Sequence, residues 1–380
     1  LIGVNIKSEF PILSVRLNQA VKKGTKIYSI NFDSSSEDFP LFFKKTVNNK
    51  DLVTFFTNEK TTLNFNKDQK TLVINGPAIS RLSNQSDVLS IIHKYCLSIK
   101  ATLGILTDYC NSTGAWISGN VPHREIAGVS IKEQGLNSYD MLSSEVSSYV
   151  LFNLEPELDF YDSKLIENSL KKSKCNIIFS NYLTPMIEKY ADIIIPIATF
   201  AETKGSYINI EGKEQSFNNI VNLDKNIYEG WDILSQIIAD NNLGTYSYDT
   251  IREELIRSIN DVDYSLNNLS NHSLNQDNKK NDDIFILSKR HIYKSDSIVR
   301  RSESLKMTEQ SKFDKIYISK NLKDNIDQSI IKSLHDFNVD DYQTKLVVDS
   351  NLSSNTIIYP SSDYEDKYRG PKSANIEQQT

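Results

Sequence analysis

The feature that most constrains this chain is a set of short apolar runs with no polar alternation. They are Leu103–Leu106, Tyr149–Leu154, Asn176–Phe179 and Asp192–Ile197. A strand with one wet face alternates apolar and polar residues, whereas a strand buried on both faces reads as a continuous apolar run. Helical patterns lie between these runs. Phe10, Leu13, Leu17, Ala20 and Val21 share one helical face, with Pro11 suited to the first turn and Gly24 to the stop. Val88, Leu89, Ile92, Tyr95, Cys96 and Ile99 mark a second amphipathic helix. Ser163–Leu170, Pro185–Tyr190 and Trp231–Ala239 read as three more, the last with Trp231, Leu234, Ile237 and Ile238 inward. Leu1–Asn5, Lys26–Phe32, Leu52–Phe56, Thr61–Phe65 and Thr71–Asn75 read as strands. Buried strands alternating with helices predict an α/β fold, a parallel sheet with flanking helices.

That pattern changes near Ser258, where Asn, Asp, Ser and Lys become dominant. Residues 258–283 are therefore expected to be a linker, which closes an α/β domain over residues 1–257. Ile284–Leu287, Lys315–Ser319, Lys345–Asp349 and Asn355–Tyr359 then read as short strands around one helix at Lys323–His335. They predict a small β-rich C-terminal domain over residues 284–364, followed by a polar tail at 365–380. A length of 380 residues suits about two domains, and a hydrophobic fraction of 39% is enough for a real core. The chain opens on Leu1 inside what reads as a core strand, so it is expected to be a fragment lacking an N-terminal part.

Several function classes are disfavoured at this point. A net charge of −6 gives no electrostatic case for nucleic acid. No apolar run reaches the roughly 18 residues that span a bilayer. Cys96, Cys110 and Cys175 are too far apart to close around a metal. They indicate a reducing compartment, with Cys96 and Cys175 expected to be buried and Cys110 in a loop. The five histidines form no ligand-spaced pair, so no metal site is expected, and no catalytic triad context is visible.

Three loops remain as places for chemistry. Gly3-Val4-Asn5-Ile6-Lys7-Ser8 follows the first strand, where an open α/β sheet meets ligands, although without a glycine-rich fingerprint a tight turn at Gly3 is the favoured explanation. Asp108–Ala115 offers small polar residues whose N–H groups could cradle a phosphate, as ordinary strand-to-helix turns also do. Glu202–Phe217 reads as a hairpin on which Glu202 and Glu211 are an acid/base option, against the commoner case of surface carboxylates. Read from the residues alone, the chain is an α/β protein with a β-rich appendage.

The hairpin segment adds a family resemblance. Ala191-Asp192-Ile193-Ile194-Ile195-Pro196, Phe200-Ala201-Glu202, Gly205-Ser206-Tyr207, Asn209, Glu211-Gly212-Lys213 and Gln215 resemble the signature of molybdopterin-oxidoreductase-type folds. Ala201 and Ser206 stand where that pattern has Thr, and Lys213 where it has Arg. Within that superfamily the chain resembles the large iron–sulfur subunit of bacterial NADH:quinone oxidoreductase, respiratory complex I. Leu1–Asn5 with Glu9–Leu13, Asn111–Trp116, Pro122-His123-Arg124, Glu155–Asp159, Gly230-Trp231 and Ile292–Arg301 carry that likeness.

The resemblance implies a structural portion of a respiratory oxidoreductase subunit, itself without a catalytic residue. It implies a peripheral place on the cytoplasmic face of the bacterial inner membrane, beside other peripheral-arm subunits. The [4Fe–4S] and [2Fe–2S] clusters are expected on the absent N-terminal part, and a retained molybdopterin is not expected. Asn5, Asn111, Gly205, Asn209, Gly212 and Gln215 would line the vestigial pocket. The alternative is a catalytic molybdenum/pterin-dependent oxidoreductase of the formate dehydrogenase type, and a third reading is a generic nucleotide-binding domain.

Overall fold

A computed structural model describes residues 1–34, 36–58, 63, 70–82, 84–160, 163–224, 226–262, 269, 284–290, 293, 296–308, 315–323 and 345–361. The chain forms two compact units, residues 1–106 with 265–380, and residues 107–264. This division differs from the expected one. The C-terminal strands share a unit with the first 106 residues, and the region expected to be one α/β domain contributes to both units.

The first unit begins with α1 (Ile6–Glu9), α2 (Pro11–Lys22), β1 (Tyr28–Asn31), β2 (Phe43–Thr46) and α3 (Asn49–Thr57). It continues with β3 (Leu72–Asn75), α4 (Pro77–Ser80), α5 (Gln85–Ser98) and β4 (Thr102–Ile105). β1 pairs parallel with β2, and β3 pairs parallel with β4. Ile2 joins the two pairs by parallel bridges to Ile30 on one side and Asn75 on the other. The spatial order is therefore β2, β1, Ile2, β3, β4, all parallel. In order of appearance along the chain this is 3-2-1-4-5, the order of a doubly wound sheet. The first strand was expected over Leu1–Asn5 but narrows to the bridge at Ile2, because Gly3 turns at φ +58°.

Both faces of this sheet are covered, as continuous apolar strands require. On one side Val4, Ile6, Ile27 and Phe39 pack with Phe10, Leu13, Leu17 and Val21. On the other, Ile2, Ile30, Phe32 and Val73 pack with Leu52, Phe55, Val88 and Ile92. Leu52–Phe56, expected as a strand, is helical. Asn48 caps the helix by accepting from Asp51 N at 2.8 Å, and Leu52 and Phe55 then fall on one buried face. Thr61–Phe65 falls almost wholly outside the described residues.

The C-terminal strands β10 (Phe285–Arg290), β11 (Lys315–Ser319), β12 (Lys345–Asp349) and β13 (Thr356–Ser361) form one mixed sheet, ordered β10-β13-β11-β12. Its Leu287, Leu352 and Ile358 join the core of the doubly wound sheet, and Phe285 packs on Phe32 with ring centroids 5.3 Å apart. Ser34 donates to Asp349, and Ser353 to Asp51. The β-rich segment thus packs on Phe32, just past the carboxyl end of β1. The expected helix at Lys323–His335 and the tail at 365–380 lie outside the described residues, apart from Lys323.

The second unit holds a parallel three-stranded sheet, β5 (Ser148–Phe152), β6 (Cys175–Ser180) and β7 (Ile193–Pro196), in that order. Before it come α6 (Ser112–Ile117) and α7 (Ser138–Ser143). α8 (Pro156–Asp159), α9 (Ser163–Lys172) and α10 (Pro185–Tyr190) connect the strands. Tyr149, Leu151 and Ile178 meet Leu142, Ile166, Leu170 and Ile187 in its core. Asn176 is a polar brace inside it. Its Nδ2 donates to Leu170 O and Tyr190 O, both at 2.9 Å, and its Oδ1 accepts from Ser173 Oγ at 2.7 Å.

The antiparallel hairpin β8 (Gly205–Ile208) and β9 (Glu214–Phe217) follows, then α11 (Gly230–Asp240) and α12 (Tyr248–Asp261). Leu234 and Ile237 of α11, expected inward, are exposed, and Ser235 is the buried residue of that helix. The expected linker at 258–283 starts later, because α12 continues to Asp261, opened by a capping box of Ser247 and Thr250. The rest of that segment lies outside the described residues, apart from Val262 and residue 269. Among the described residues no helix is long and apolar enough to cross a membrane.

Candidate functional site

In an open doubly wound sheet, ligands meet the chain beyond the carboxyl ends of the strands, where the strand order reverses. In the first unit that point lies between Ile2 and β3. The loops there touch each other. A Cβ at Gly76 would sit 2.7 Å from Val4 Cα, and closer still to Val4 Cβ and the Gly3 carbonyl oxygen. Gly76 N donates to Ile2 O at 2.8 Å, Ala78 N to Gly3 O at 3.2 Å, and Asn31 Nδ2 to Val4 O at 2.7 Å. Asn75 is fully buried beside them, with both side-chain amide atoms unpartnered.

Asn5 belongs to this end of the sheet. Its Oδ1 accepts from Ser8 N at 3.3 Å, and its own N–H donates to Glu9 Oε2 at 2.9 Å. The two bonds form a reciprocal cap at the start of α1. Glu37 was not visible in the sequence. Its Oε1 accepts from Ile6 N at 3.3 Å and its Oε2 from Lys7 N at 3.1 Å, across 30 residues or more. Burial pushes the Glu37 carboxyl pKa up, and the two N–H donors pull against that shift.

The other five candidates lie in the second unit. Asn111, at the start of α6, accepts through Oδ1 from Ile208 N at 2.9 Å, which ties this helix to the hairpin. Asn209 Oδ1 accepts from Glu211 N and Lys213 N, both at 3.0 Å, and so closes the hairpin turn, where Gly212 has φ +75°. Gly205 lies against the Phe217 ring, and Gln215 is exposed on β9 opposite Tyr207. Glu202 accepts from Thr199 N at 2.9 Å and from Thr199 Oγ1 at 2.8 Å, so its carboxylate caps a turn.

Sequence reasoning passed over Glu214 and Arg252. Arg252 Nε and Nη2 reach Glu214 Oε1 and Oε2 at 3.2 Å each, a two-pronged pair that pins the hairpin to α12. Ser206 Oγ donates to the same carboxylate at 2.5 Å. The Ser206 hydroxyl first, and then Arg252, hold the Glu214 carboxyl below the usual range. The partners are 38 residues apart, so no local pattern announces them.

Cys96 is buried and its thiol is pushed up to about 11, Cys175 is half-buried, and Cys110 is exposed. Among the described residues no group of three or more His, Cys, Asp or Glu comes together as a metal site.

The profile of the molybdopterin oxidoreductase family matches residues 1–240. The chain belongs to that family. Two curated relatives are also similar to this chain. The NADH-ubiquinone oxidoreductase 75 kDa subunit of Reclinomonas americana is 23% identical over 239 residues, covering 62% of this chain and 32% of the relative. The mitochondrial NADH-ubiquinone oxidoreductase 78 kDa subunit of Candida albicans is 20% identical over 236 residues, covering 62% and 30%. The chain spans about a third of the length of each. Both relatives are named as subunits of NADH-ubiquinone oxidoreductase.

Proposed function

We propose that this chain is a structural portion of the large iron–sulfur subunit of a bacterial NADH:quinone oxidoreductase. It supports electron transfer from NADH to quinone in the peripheral arm without itself carrying an electron. The observation that carries this reading is the alignment of 239 residues with a subunit named for NADH-ubiquinone oxidation. On this reading its partners are the other subunits of the arm, at the cytoplasmic face of the inner membrane. The [4Fe–4S] and [2Fe–2S] clusters sit on a part of the subunit outside these residues.

The molybdenum–pterin group that names the family does not fit the residues at the switch point. Supporting this, Gly76 lies directly on Val4, and the loop carbonyls accept from the chain's own N–H groups. Phe285 of the C-terminal sheet packs on Phe32, at the same end of the strands. Asn5, Asn111 and Asn209 spend their side-chain oxygens on backbone N–H groups of this chain, and Gly205 and Gly212 allow hairpin packing and turning. Four-thiolate clusters need grouped cysteines, and Cys96, Cys110 and Cys175 are scattered.

Purification of the tagged protein from its native membranes tests this. The expected result is co-isolation with NADH dehydrogenase activity, with iron and acid-labile sulfide but neither molybdenum nor pterin. Stoichiometric molybdenum or pterin would replace this reading with the formate dehydrogenase type.

A further inference from the structure

We propose that the side-chain amide of Asn75 binds one internal water molecule, held inside the first unit at the carboxyl end of β3. Asn75 is the last residue of that strand and is fully buried. Its main chain is satisfied. It bridges to Ile2, and its carbonyl oxygen accepts from Leu106 N at 2.8 Å. Its side chain is not: among the described residues neither Oδ1 nor Nδ2 has a hydrogen-bond partner. Asn31 shows the ordinary outcome at the matching place. It ends β1, on the other side of Ile2, and is buried too. Its Nδ2 donates to Val4 O at 2.7 Å, and its Oδ1 accepts from Phe32 N at 2.9 Å.

The surroundings explain why the chain does not answer Asn75 itself. Residues two apart on a strand share a face, so Asn75 lies on the side of Val73. That side is apolar, with Val73 in one cluster with Ile79, Leu82, Val88 and Ile92, none of which has a side-chain donor or acceptor. An amide left unpaired there loses its hydration and gains nothing in return. Buried polar groups in folded proteins are answered by protein or by ordered water, and each exception calls for a partner. Water is the smallest molecule that donates and accepts. One molecule can accept from Nδ2 and donate to Oδ1 together, which makes two of the roughly three bonds an internal water usually forms. The inference rests on the fold of the first unit and not on the assembly proposed above, so a failed co-purification leaves it standing.

The test uses the full 380-residue chain as wild type and as Asn75→Leu, which keeps the size and removes the amide. Water magnetic relaxation dispersion counts the long-lived internal waters of each. The expected result is one fewer in Asn75→Leu. In a crystal of the wild-type chain, solvent density is expected within about 3.2 Å of both Asn75 Oδ1 and Nδ2. An equal count in folded Asn75→Leu overturns the proposal. So does a wild-type crystal in which no solvent density meets the amide, or in which a protein group bonds it directly. The crystal needs no variant and decides the matter even where Asn75→Leu does not fold.

Discussion

Replacing Gly76 by alanine tests the closed switch point most directly. The new Cβ would lie 2.7 Å from Val4 Cα, a backbone atom that no rotamer change can move. Carbon atoms rest about 3.5–4.0 Å apart, so the two loops must part by about 1 Å. Parting them stretches the Gly76 N to Ile2 O bond at 2.8 Å and the Ala78 N to Gly3 O bond at 3.2 Å. Each lost bond is worth about 1 kcal/mol, and overpacking strain adds about 1–3 kcal/mol. The expected cost is about 3–5 kcal/mol, much of a typical total stability of about 5–15 kcal/mol. Gly24→Ala is the control. Nothing lies within 4 Å of its added Cβ, and only left-handed strain at φ +94° remains, about 1–2 kcal/mol. Urea unfolding followed by far-UV circular dichroism, with hydrogen exchange at Ile2 and Gly3, gives both numbers. Trp116 and Trp231 both belong to the second unit, so their fluorescence tracks that unit separately. If Gly76→Ala costs no more than Gly24→Ala, the loops do not touch and the argument against a bound group at this point fails with them.

Further outcomes follow from other sites. Asn176→Ala should destabilise the second unit by about 1–3 kcal/mol, read as a lower urea midpoint of tryptophan fluorescence, because it leaves the Tyr190 carbonyl unpaired while the Leu170 carbonyl keeps the Ser173 hydroxyl. Glu214 has a folded pKa below its ordinary 4.5, so the unfolded chain binds more protons there. Its stabilisation is full above pH 4.5 and is lost as pH falls through the folded pKa, and Glu214→Gln should flatten that acid limb in urea midpoints taken from pH 3 to 6. Glu37 has the opposite sign: its raised pKa lets the folded chain bind more protons, so stability falls as pH rises from 4.5 through the folded value, and Glu37→Gln removes that slope. Cys110 should react with a chromogenic disulfide at the rate of a free thiol, and Cys96 slower by about two orders of magnitude or more, since its thiol is buried and pushed up to about 11.

What the sequence determined by itself was local. Unbroken apolar runs at Tyr149–Leu154 and Asn176–Phe179 announced strands, and they pair in parallel as β5 and β6, but burial on both faces fails at β5, where Val150 and Phe152 are exposed. Pro185 marked a helix start, and the spacing from Gly205 to Gln215 marked both the hairpin and the family. Periodicity failed where a run was too short to separate two periods. Leu52, Phe55 and Phe56 suit either a strand or a helix, and the cap at Asn48 settled the matter. Only the tertiary structure decided that Ile2 lies between Ile30 and Asn75 and that Glu37 answers Ile6 and Lys7. It also decided that Arg252 grips Glu214, and that strands beyond residue 284 finish the core begun by the first hundred residues. These are pairings between segments distant along the chain. Their residues carry no local periodicity, so they are selected by which buried groups can satisfy one another once the sheet has formed.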